Sequence, residues 1–462
     1  MSARLTYEEG TIRVSIQNAD SDASTDRAVP GDEGCLDLPY VEYDPRSRSG
    51  RAPAFRYADL LERLDREGVE YEDGVFETPT LRGLASTYEL RSYQADALSA
   101  WRGNDDRGVL ELPTGSGKTV IAIKAIEALA TPTLVVVPTI DLLEQWHAEL
   151  REEFDVPIGR FGGGVQSREA ITVSTYDSAY LKAESIGDVF PFVIFDEVHH
   201  LGGEGYREIA RLLAAPARLG LTATFERPDR AHEAVEELLG PVVYRTSADD
   251  LAGEHLAPYD VKRIEVELTD EEREAYERDQ ETFVSYLRES GIDMQRGSDY
   301  QELVKRSGSD PRAREALLAK QRAREVVSNA DRKIEELAGI LDRHRDDRII
   351  VFTAHNDLVY RLSERFLIPA ITHRTGTEER REILERFREG TYSRIVASNV
   401  LDEGVDVPDA NVAVVLSGSG SEREFTQRLG RVLRPKAEGG RALLYELVSR
   451  DTAEENVAAR RR

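Results

Sequence analysis

The chain has 462 residues, 32% of them charged and 40% hydrophobic, a composition that excludes a disordered chain and a membrane-embedded one. This length is enough for two to four domains. The single cysteine, Cys35, excludes an intramolecular disulfide, a four-cysteine zinc site and a cysteine-ligated iron–sulfur cluster. No apolar run approaches the ~20 residues of a membrane-spanning helix. The first residues lack a secretion signal, so we expect a cytoplasmic protein.

The chain is strongly acidic. Its formal net charge of −26 comes from 87 acidic and 61 basic residues, and only 8 of the basic residues are lysines. A negative surface by itself argues against a nucleic-acid partner. An excess of Asp and Glu with few lysines is also typical of a halophile, whose cytoplasm holds molar salt that screens charges within ~3 Å. We favour this halophilic interpretation, under which the net charge does not exclude nucleic acid.

Residues 1–84 differ in pattern from the rest of the chain and are predicted to form an N-terminal α+β domain. A strand is predicted over 11–16 and a polar segment over 20–34. A helix is predicted over 57–66, because leucines recur there at helical spacing.

From residue 85 onwards, predicted strands alternate with predicted helices, which indicates parallel sheets. We predict a first α/β lobe over 85–257 and a second lobe formed by 258–269 together with 335–462. The predicted strands are 109–112, 133–137, 171–174, 192–195, 219–222, 348–352, 370–372, 394–397, 412–416 and 442–447, with helices that include 118–129 and 141–152.

Residues 270–334, between the two parts of the second lobe, are charged and poor in strand patterns. Their apolar residues recur at helical spacing, so we predict a helical insertion. Two turns are expected to interrupt it, at Gly297-Ser298 and at Ser307-Gly308-Ser309.

A phosphate-binding loop is predicted between an apolar strand and a helix, in the sequence Leu112-Pro113-Thr114-Gly115-Ser116-Gly117-Lys118-Thr119. Backbone N–H groups of such a loop converge on phosphate oxygens at a helix N-terminus. Lys118 would reach the β and γ phosphates, and the Thr119 hydroxyl would bind Mg²⁺. Leu112 stands where the strict pattern has glycine. The alternative, a simple turn before an ordinary helix, fits the order of strand, loop, Lys-Thr and helix less well.

A second candidate site follows the apolar strand at 192–195, where the chain reads Asp196-Glu197-Val198-His199-His200. We predict that Asp196 binds Mg²⁺ and that Glu197 orients or deprotonates the attacking water. A solvated strand end would be the ordinary interpretation of an isolated Asp-Glu pair. Because a phosphate loop precedes this pair in the same lobe, we favour the interpretation that Asp196 and Glu197 are catalytic. The adjacent histidines lack a third ligand nearby, so we do not predict that they bind a metal.

With these motifs in order, the chain resembles a superfamily 2 helicase between about 90 and 435. The remaining motifs resemble an adenine-recognition element and motifs Ia, III, IV, V and VI, in the segments 90–94, 138–146, 221–224, 350–353, 397–406 and 427–435. The resemblance implies two tandem RecA-like parallel-sheet lobes, with ATP and Mg²⁺ as cofactors.

Within that superfamily, the chain resembles the archaeal XPB-type DNA helicases. The resemblance rests on the Asp-Glu-Val-His form of the Asp-Glu box, on Tyr43-Asp44-Pro45-Arg46 with the segment 51–57, and on the insertion. The Asp-Glu-Val-His motif is the family's form of this box. The segments 43–46 and 51–57 are similar to the family's damage-recognition domain, and the insertion is similar to its thumb. In place of the family's Arg-Glu-Asp element the chain has Arg227-Pro228-Asp229, so the central carboxylate is missing and proline stiffens the turn.

The resemblance also implies roles for individual residues. The Gln-x-x-Gly-Arg-x-x-Arg spacing of motif VI places its functional side chains on one helix face, where they would act on the transferring phosphate. The implied catalytic residues are Glu197, Gln427, Arg431 and Arg434; the additional nucleotide-binding residues are Arg91, Gln94, Gly404 and Asp406; the DNA-binding residues are Thr139, Thr175, Arg227, Asp229 and Ser398.

The leading hypothesis is therefore an ATP-dependent DNA helicase or translocase, of 3'-5' polarity by resemblance, that serves excision repair or transcription. Double-stranded or forked DNA is the expected partner, a nuclease partner is implied by the resemblance, and we expect a monomer. Three alternatives stay open: an RNA helicase, a double-strand translocase of a restriction or remodelling system, and a nucleotide-gated scaffold. An XPD-type helicase is excluded by the missing cysteines.

Overall fold

The computed structural model describes residues 2–17, 38, 40–47, 49–76, 80–225, 231–247, 250, 259–294, 297–398, 410–417 and 442–455. The chain divides into two compact units, Met1–Ser247 and Ala248–Arg462. Each unit is built around its own sheets and is described separately below.

The first unit begins with a small mixed sheet backed by a helix. Its strands are β1 (Ser2–Glu8), β2 (Thr11–Gln17), β3 (Glu42–Asp44), β4 (Ser49–Pro53) and β5 (Glu70–Asp73), in the order β3-β4-β2-β1-β5. The helix α1 (Tyr57–Glu67) buries Leu60 and Leu64, as the leucine spacing predicts, and ends at Gly68 in a left-handed conformation. The strand Ser2–Glu8 is an addition to the predicted elements.

This small domain packs directly on the larger α/β part of the same unit. The hydroxyl of Tyr7 donates to the carbonyls of Glu184 and Leu212 at 2.9 and 3.0 Å. A Cβ on Gly187 would lie 1.9 Å from the Tyr7 hydroxyl, so only glycine leaves room for this ring. Arg56 also forms an ion pair with Glu237 at 2.8 Å. The small domain is therefore fixed to its neighbour by specific contacts as well as by apolar packing.

The α/β part of the first unit contains a parallel sheet with one antiparallel edge hairpin. Its strands are β6 (Arg107–Glu111), β7 (Thr133–Val137), β8 (Ile158–Gly162), β9 (Val165–Ser167), β10 (Ile171–Thr175), β11 (Phe192–Asp196), β12 (Ala217–Thr222) and β13 (Val242–Arg245). Its helices are α2 (Ser92–Arg102), α3 (Lys118–Leu129), α4 (Ile140–Glu153), α5 (Tyr176–Lys182), α6 (Glu204–Leu212) and α7 (Ala231–Leu239). The strand order is β13-β6-β12-β11-β7-β10-β8-β9.

The central strands of this sheet are almost continuously apolar and fully buried, as expected where helices cover both faces. Because β6, β12, β11, β7 and β10 are parallel, the segments that follow them meet at one edge. That edge brings together the predicted phosphate loop, the Asp-Glu pair and motifs Ia and III.

A buried arginine joins the helices to the opposite end of the sheet. Arg218 in β12 has no exposed surface and donates to the carbonyls of Ala210, Leu213, Ala215 and Leu238 at 2.6 to 3.0 Å. These carbonyls lie at or just beyond the C-terminal ends of α6 and α7, where backbone acceptors lack helical partners. Burial holds the pKa of the guanidinium well below its usual value.

The second unit also contains a parallel sheet, in the order β14-β19-β18-β15-β17-β16. Its strands are β14 (Tyr259–Val266), β15 (Ile349–Phe352), β16 (Ala370–Ile371), β17 (Arg394–Ala397), β18 (Val412–Val415) and β19 (Ala442–Ser449). Its helices are α8 (Asp270–Ser290), α9 (Gly297–Ser307), α10 (Pro311–Ser328), α11 (Asp331–Arg343), α12 (Asn356–Phe366) and α13 (Thr377–Arg388). The predicted α/β fold class, with two parallel sheets, a small N-terminal domain and a helical insertion, is confirmed.

Two details of the insertion differ from the sequence-based expectation. The sequence predicts a turn at Gly297-Ser298, but α9 begins at Gly297, so this prediction is wrong. A glycine marks a helix end as readily as a loop, and the next residues favour the helix. Ile334 is predicted in the insertion, but it lies on α11 and packs in the core of the second sheet with Ile349 and Val351. The turn after Ser307 is confirmed.

Two features are missing from the described part of the chain. No helix there is long and apolar enough to span a bilayer. Within the same ranges, no three or more His, Cys, Asp or Glu side chains cluster as a metal site. Cys35 and the polar segment 20–34 lie outside the described residues.

Candidate functional site

The predicted phosphate loop lies between β6 and α3. The N–H of Leu112 donates to the Thr222 carbonyl at 3.0 Å, which ties the start of the loop to the end of β12. Gly115 and Gly117 have φ angles of 79° and 76°, in the left-handed region that favours glycine. Pro113 and the side chains of Thr114 and Ser116 are buried, as a loop folded tightly around a small ligand requires.

Two hydroxyl groups of this loop indicate that it is shaped for an anion. Thr114 Oγ1 and Ser116 Oγ are buried and have no hydrogen-bond partner among the described residues. Buried hydroxyls are normally paired, and a phosphate oxygen would supply the missing acceptor. The residues present therefore fit a nucleotide phosphate.

Lys118 and Thr119 are the first two residues of α3. The Lys118 Nζ group donates to the carbonyls of Leu112 and Pro113 at 3.0 and 3.3 Å, so the ammonium group lies over the loop. Thr119 is half-buried at the helix N-terminus. This is the arrangement expected if Lys118 meets phosphate oxygens and Thr119 meets a cation bound to them.

The predicted adenine-recognition element contacts the loop from α2. Gln94 is buried; its Nε2 donates to the Ser116 carbonyl at 2.8 Å, and its Oε1 accepts from the N–H of Arg91 at 2.9 Å. The Tyr93 hydroxyl donates to the same Ser116 carbonyl at 2.7 Å. Gln94 therefore supports the loop backbone, and the exposed Arg91 side chain lies beside it.

Asp196 and Glu197 stand at the end of β11, and both are buried. Burial and the neighbouring Glu197 raise the pKa of Asp196, whereas a hydrogen bond from Trp146 and the charge of Lys118 act in the opposite direction. Glu197 has a φ angle of 47°, a backbone strain of roughly 1–3 kcal/mol that proteins keep mainly at functional sites.

His199 connects this pair with the predicted motif III. Its Nδ1 lies 3.5 Å from Glu197 Oε2 and 3.4 Å from Thr222 Oγ1. The phosphate loop, the Asp-Glu pair and Thr222 thus form one continuous polar network at the carboxyl edge of the sheet. In the sequence, His199 is recognisable only as the last residue of the Asp-Glu-Val-His motif. Its contact with Thr222 could not be predicted, because it depends on the pairing of β11 with β12.

The oxygen ligands that Mg²⁺ prefers are present in this network. Mg²⁺ is usually held by one or two carboxylates together with hydroxyl, water and substrate phosphate oxygens. Asp196 supplies a carboxylate and Thr119 a hydroxyl, so the donor set fits this ion.

Two candidate DNA-binding residues of the first unit are helix caps at the same edge of the sheet. Thr139 caps α4 by accepting from the N–H of Leu142 at 3.2 Å, and Thr175 caps α5 by accepting from the N–H of Ser178 at 3.2 Å. Each threonine therefore places a hydroxyl at the start of its helix, where backbone N–H groups add partial positive charge.

In the second unit, Ser398 follows β17. Its N–H donates to the Ile371 carbonyl at 3.0 Å, and its buried Oγ has no partner within the described ranges. The other predicted residues lie outside the described residues, namely Arg227, Asp229, Gly404, Asp406, Gln427, Arg431 and Arg434.

Two buried aromatic residues complete the surroundings of Asp196 and were not predicted as site residues. The Trp146 indole Nε1 donates to Asp196 Oδ2 at 2.9 Å, and the Tyr176 hydroxyl donates to the Asp196 carbonyl at 3.1 Å. Trp146 is the last residue of the segment that resembles motif Ia, but it lies on the buried face of α4, where a tryptophan also fits ordinary core packing.

Three family models match the chain, in an order that follows its fold. They are described as the xeroderma pigmentosum group B helicase damage recognition domain (5–75), the Type III restriction enzyme res subunit (87–227) and the ERCC3/RAD25/XPB C-terminal helicase (318–462). The chain is also 45% identical over 424 residues to the DNA 3'-5' translocase XPB2 of Sulfurisphaera tokodaii, covering 92% of this chain and 96% of that protein.

The chain belongs to the XPB family. The expectation of an XPB-type helicase or translocase is therefore confirmed. Other XPB relatives are longer than this chain. The DNA 3'-5' helicase XPB of Mycobacterium tuberculosis is 32% identical over 81% of this chain, and the match covers 63% of that protein. The putative DNA 3'-5' helicase Rad25 of Halobacterium salinarum is 33% identical over 81% of this chain, and the match covers 56% of that protein. The helicase domain of Pyrococcus furiosus Hef has the same fold, with a TM-score of 0.52 at 21% identity, over 81% of this chain and 98% of that one.

Proposed function

We propose that this XPB-type chain is an ATP-driven DNA motor of 3'-5' polarity, which hydrolyses ATP with Mg²⁺ and moves along or opens duplex DNA in nucleotide excision repair or transcription. One observation carries the proposal: a single sheet edge joins the loop at 113–119, the Asp196-Glu197 pair and two capped helix N-termini. The relatives named as DNA 3'-5' translocase and helicase support the substrate and the polarity.

In this proposal the loop holds the nucleotide and the carboxylates prepare the reaction. Backbone N–H groups and the hydroxyls of Thr114 and Ser116 bind phosphate oxygens, and Lys118 neutralises their charge. Thr119 and Asp196 would hold Mg²⁺, which draws charge away from the transferring phosphate. Glu197 orients the attacking water and accepts its proton. Its strained backbone holds the carboxylate at the end of β11, where the water would enter.

Motif V and motif VI complete the machinery by resemblance. Arg431 and Arg434 would stabilise the charge on the transferring phosphate together with Gln427, and Gly404 and Asp406 would contact the nucleotide. The requirement for these residues makes hydrolysis depend on the second lobe. A motor needs this dependence, because chemistry must be coupled to movement of one lobe against the other.

The same sheet edge is proposed to contact the DNA backbone. Thr139 and Thr175 offer a hydroxyl at a helix N-terminus, and Ser398 offers an additional hydroxyl in the second unit. Arg227 and Asp229 are assigned to DNA by resemblance only. Such contacts bind phosphates without a basic surface, so the proposal agrees with the net charge of −26.

A duplex translocase without strand separation is the second candidate. Two observations favour it: the XPB2 relative is named a translocase, and Pro228 replaces the family's central glutamate. The match of 87–227 to a restriction-enzyme subunit concerns the nucleotide-binding lobe, which motors of several systems share. An RNA helicase has no such support. The monomeric state, the cytoplasmic location and the nuclease partner stay predictions.

ATPase activity measured with duplex DNA, single-stranded DNA and RNA at increasing KCl tests the proposal. We expect duplex DNA to stimulate hydrolysis most. For a halophilic protein, stimulation should rise with KCl before it falls, because screening of the carboxylates acts against the counterion-release slope of about −0.9 per phosphate contact. Stimulation by RNA alone, or by no nucleic acid at any salt, would overturn the proposal.

A further inference from the structure

The two helices capped by candidate DNA-binding threonines also provide the two aromatic side chains that hold Asp196. Trp146 lies on α4, which Thr139 caps, and Tyr176 is the first residue of α5, which Thr175 caps. The indole N–H of Trp146 donates to Asp196 Oδ2, and the Tyr176 hydroxyl donates to the Asp196 backbone carbonyl. Two separate structural routes thus lead from a DNA-contact candidate to the same residue.

Both routes are short and rigid. Trp146 is seven residues after Thr139, so ~10 Å of continuous helix separates the cap from the indole. Tyr176 directly follows Thr175. Its ring also packs beside Phe195 and His200, with ring centroids 6.2 and 5.8 Å apart, so it contacts the chain on both sides of the Asp-Glu pair. Trp146 and Tyr176 are 1% and 2% exposed, which leaves little space for independent side-chain motion.

The Trp146 bond differs from an ordinary buried indole contact. The other tryptophan, Trp101, is equally buried, and its Nε1 donates to the backbone carbonyl of Arg218 at 2.9 Å. Trp146 instead uses its only donor on a carboxylate oxygen that the proposed function assigns to Mg²⁺. A donor to one oxygen fixes the orientation of the carboxylate and leaves the other oxygen to accept from the Glu197 N–H at 2.9 Å. Partners of this kind set the geometry of metal ligands.

We propose that Trp146 and Tyr176 are positioning residues that couple DNA contact at Thr139 and Thr175 to the orientation of Asp196. This inference rests on the proposed function, because it requires DNA at the two caps and Mg²⁺ at Asp196. A DNA phosphate that shifts the start of α4 or α5 also shifts a group bonded to Asp196. Duplex DNA therefore changes the affinity for Mg²⁺-nucleotide, and by linkage Mg²⁺-nucleotide changes the affinity for DNA.

The test measures binding rather than turnover. The full chain is titrated with a non-hydrolysable ATP analogue, in Mg²⁺ or in EDTA, with and without a short duplex DNA. The variant Trp146→Phe keeps the ring and removes the donor, and Tyr176→Phe removes only the hydroxyl. Trp101→Phe is the matched control, because it removes an equally buried indole bond from the same sheet.

We expect Trp146→Phe to weaken Mg²⁺-dependent nucleotide binding about 10-fold, the lower end of the effect for a partner of a metal ligand. Binding in EDTA should be unchanged. Both Trp146→Phe and Tyr176→Phe should reduce the effect of duplex DNA on nucleotide affinity, and Trp101→Phe should retain it. Tyr176→Phe provides a second measurement if Trp146→Phe fails to fold.

Three results would count against the inference. Wild-type coupling in both Trp146→Phe and Tyr176→Phe overturns it and leaves the proposed function standing. An equal loss in Trp101→Phe assigns the effect to general destabilisation and also overturns it. A wild-type protein that binds Mg²⁺-nucleotide but shows no response to duplex DNA contradicts the DNA dependence in the proposed function and the coupling with it.

Discussion

Substitution of Gly117 by alanine tests whether the phosphate loop and Gln94 are packed as closely as the structure indicates. Gly117 has a φ of +76°, and a Cβ there would lie 2.5 Å from Gln94 Nε2. The left-handed conformation alone costs an alanine about 1–2 kcal/mol. Gln94 must also move, which puts at risk its hydrogen bonds with the Ser116 carbonyl and the Arg91 N–H, at about 0.5–1.5 kcal/mol each. We therefore expect Gly117→Ala to lower the free energy of unfolding by about 2–5 kcal/mol.

Gly68 provides a matched control for the backbone part of this cost. Its φ is +66°, and nothing lies within 4 Å of the position that a Cβ would occupy. Gly68→Ala should therefore show only the strain of about 1–2 kcal/mol. The excess in Gly117→Ala, about 1–3 kcal/mol, measures the displacement of Gln94. It should be smaller in a Gln94→Ala background, where the clash is absent.

Intrinsic fluorescence during urea unfolding is a suitable assay, because both tryptophans of the chain, Trp101 and Trp146, lie in the first α/β lobe. Nucleotide affinity is measured in parallel and should fall only in Gly117→Ala. Equal destabilisation by Gly117→Ala and Gly68→Ala, with the same nucleotide affinity, would refute the close packing of the loop against Gln94.

Three further predictions concern single side chains. Glu197→Gln should bind ATP and lose hydrolysis, because an amide cannot accept the proton of the attacking water; normal turnover would remove Glu197 from that role. Arg218→Leu should lower the free energy of unfolding by about 2–4 kcal/mol, because four carbonyls lose their donors at about 1 kcal/mol each; a change within ~0.5 kcal/mol in urea unfolding would contradict this. Burial raises the pKa of Tyr7 from 10.0 to about 12, so the stability advantage of the wild type over Tyr7→Phe should be complete below pH 10 and decline as the pH rises towards 12. A constant difference in unfolding free energy across that range would exclude the buried phenol as its source.

The nucleotide-binding half of the fold was accessible from sequence because its signals are local. The strand Thr133–Val137 and the helix Lys118–Leu129 have the predicted bounds, since a buried parallel strand is a short apolar run and the loop glycines mark where α3 begins. Thr114 to Thr119 are adjacent in the chain, so one motif places them together. The strand Ser2–Glu8 is harder to predict, because its partners β2 and β5 lie on opposite sides of it in the sheet.

The surroundings of Asp196 could not be predicted in the same way. Trp146 and Asp196 are 50 residues apart, and they meet only because β11 pairs with β7, the strand that precedes α4. A tryptophan at a buried helix position looks like core packing in any sequence. The contact of His199 with Thr222 has the same origin, since it requires β11 and β12 to be neighbours.

Displacement of a third strand from a DNA triplex most directly tests the central claim, that ATP hydrolysis at this sheet edge drives movement along duplex DNA. The assay uses triplex and forked duplex substrates side by side, with ATP or a non-hydrolysable analogue, and Glu197→Gln as the matched inactive variant. We expect the wild type to displace the triplex strand only with ATP, and Glu197→Gln to bind the substrate without displacing it. DNA-stimulated ATP hydrolysis with no displacement from either substrate would contradict the claim.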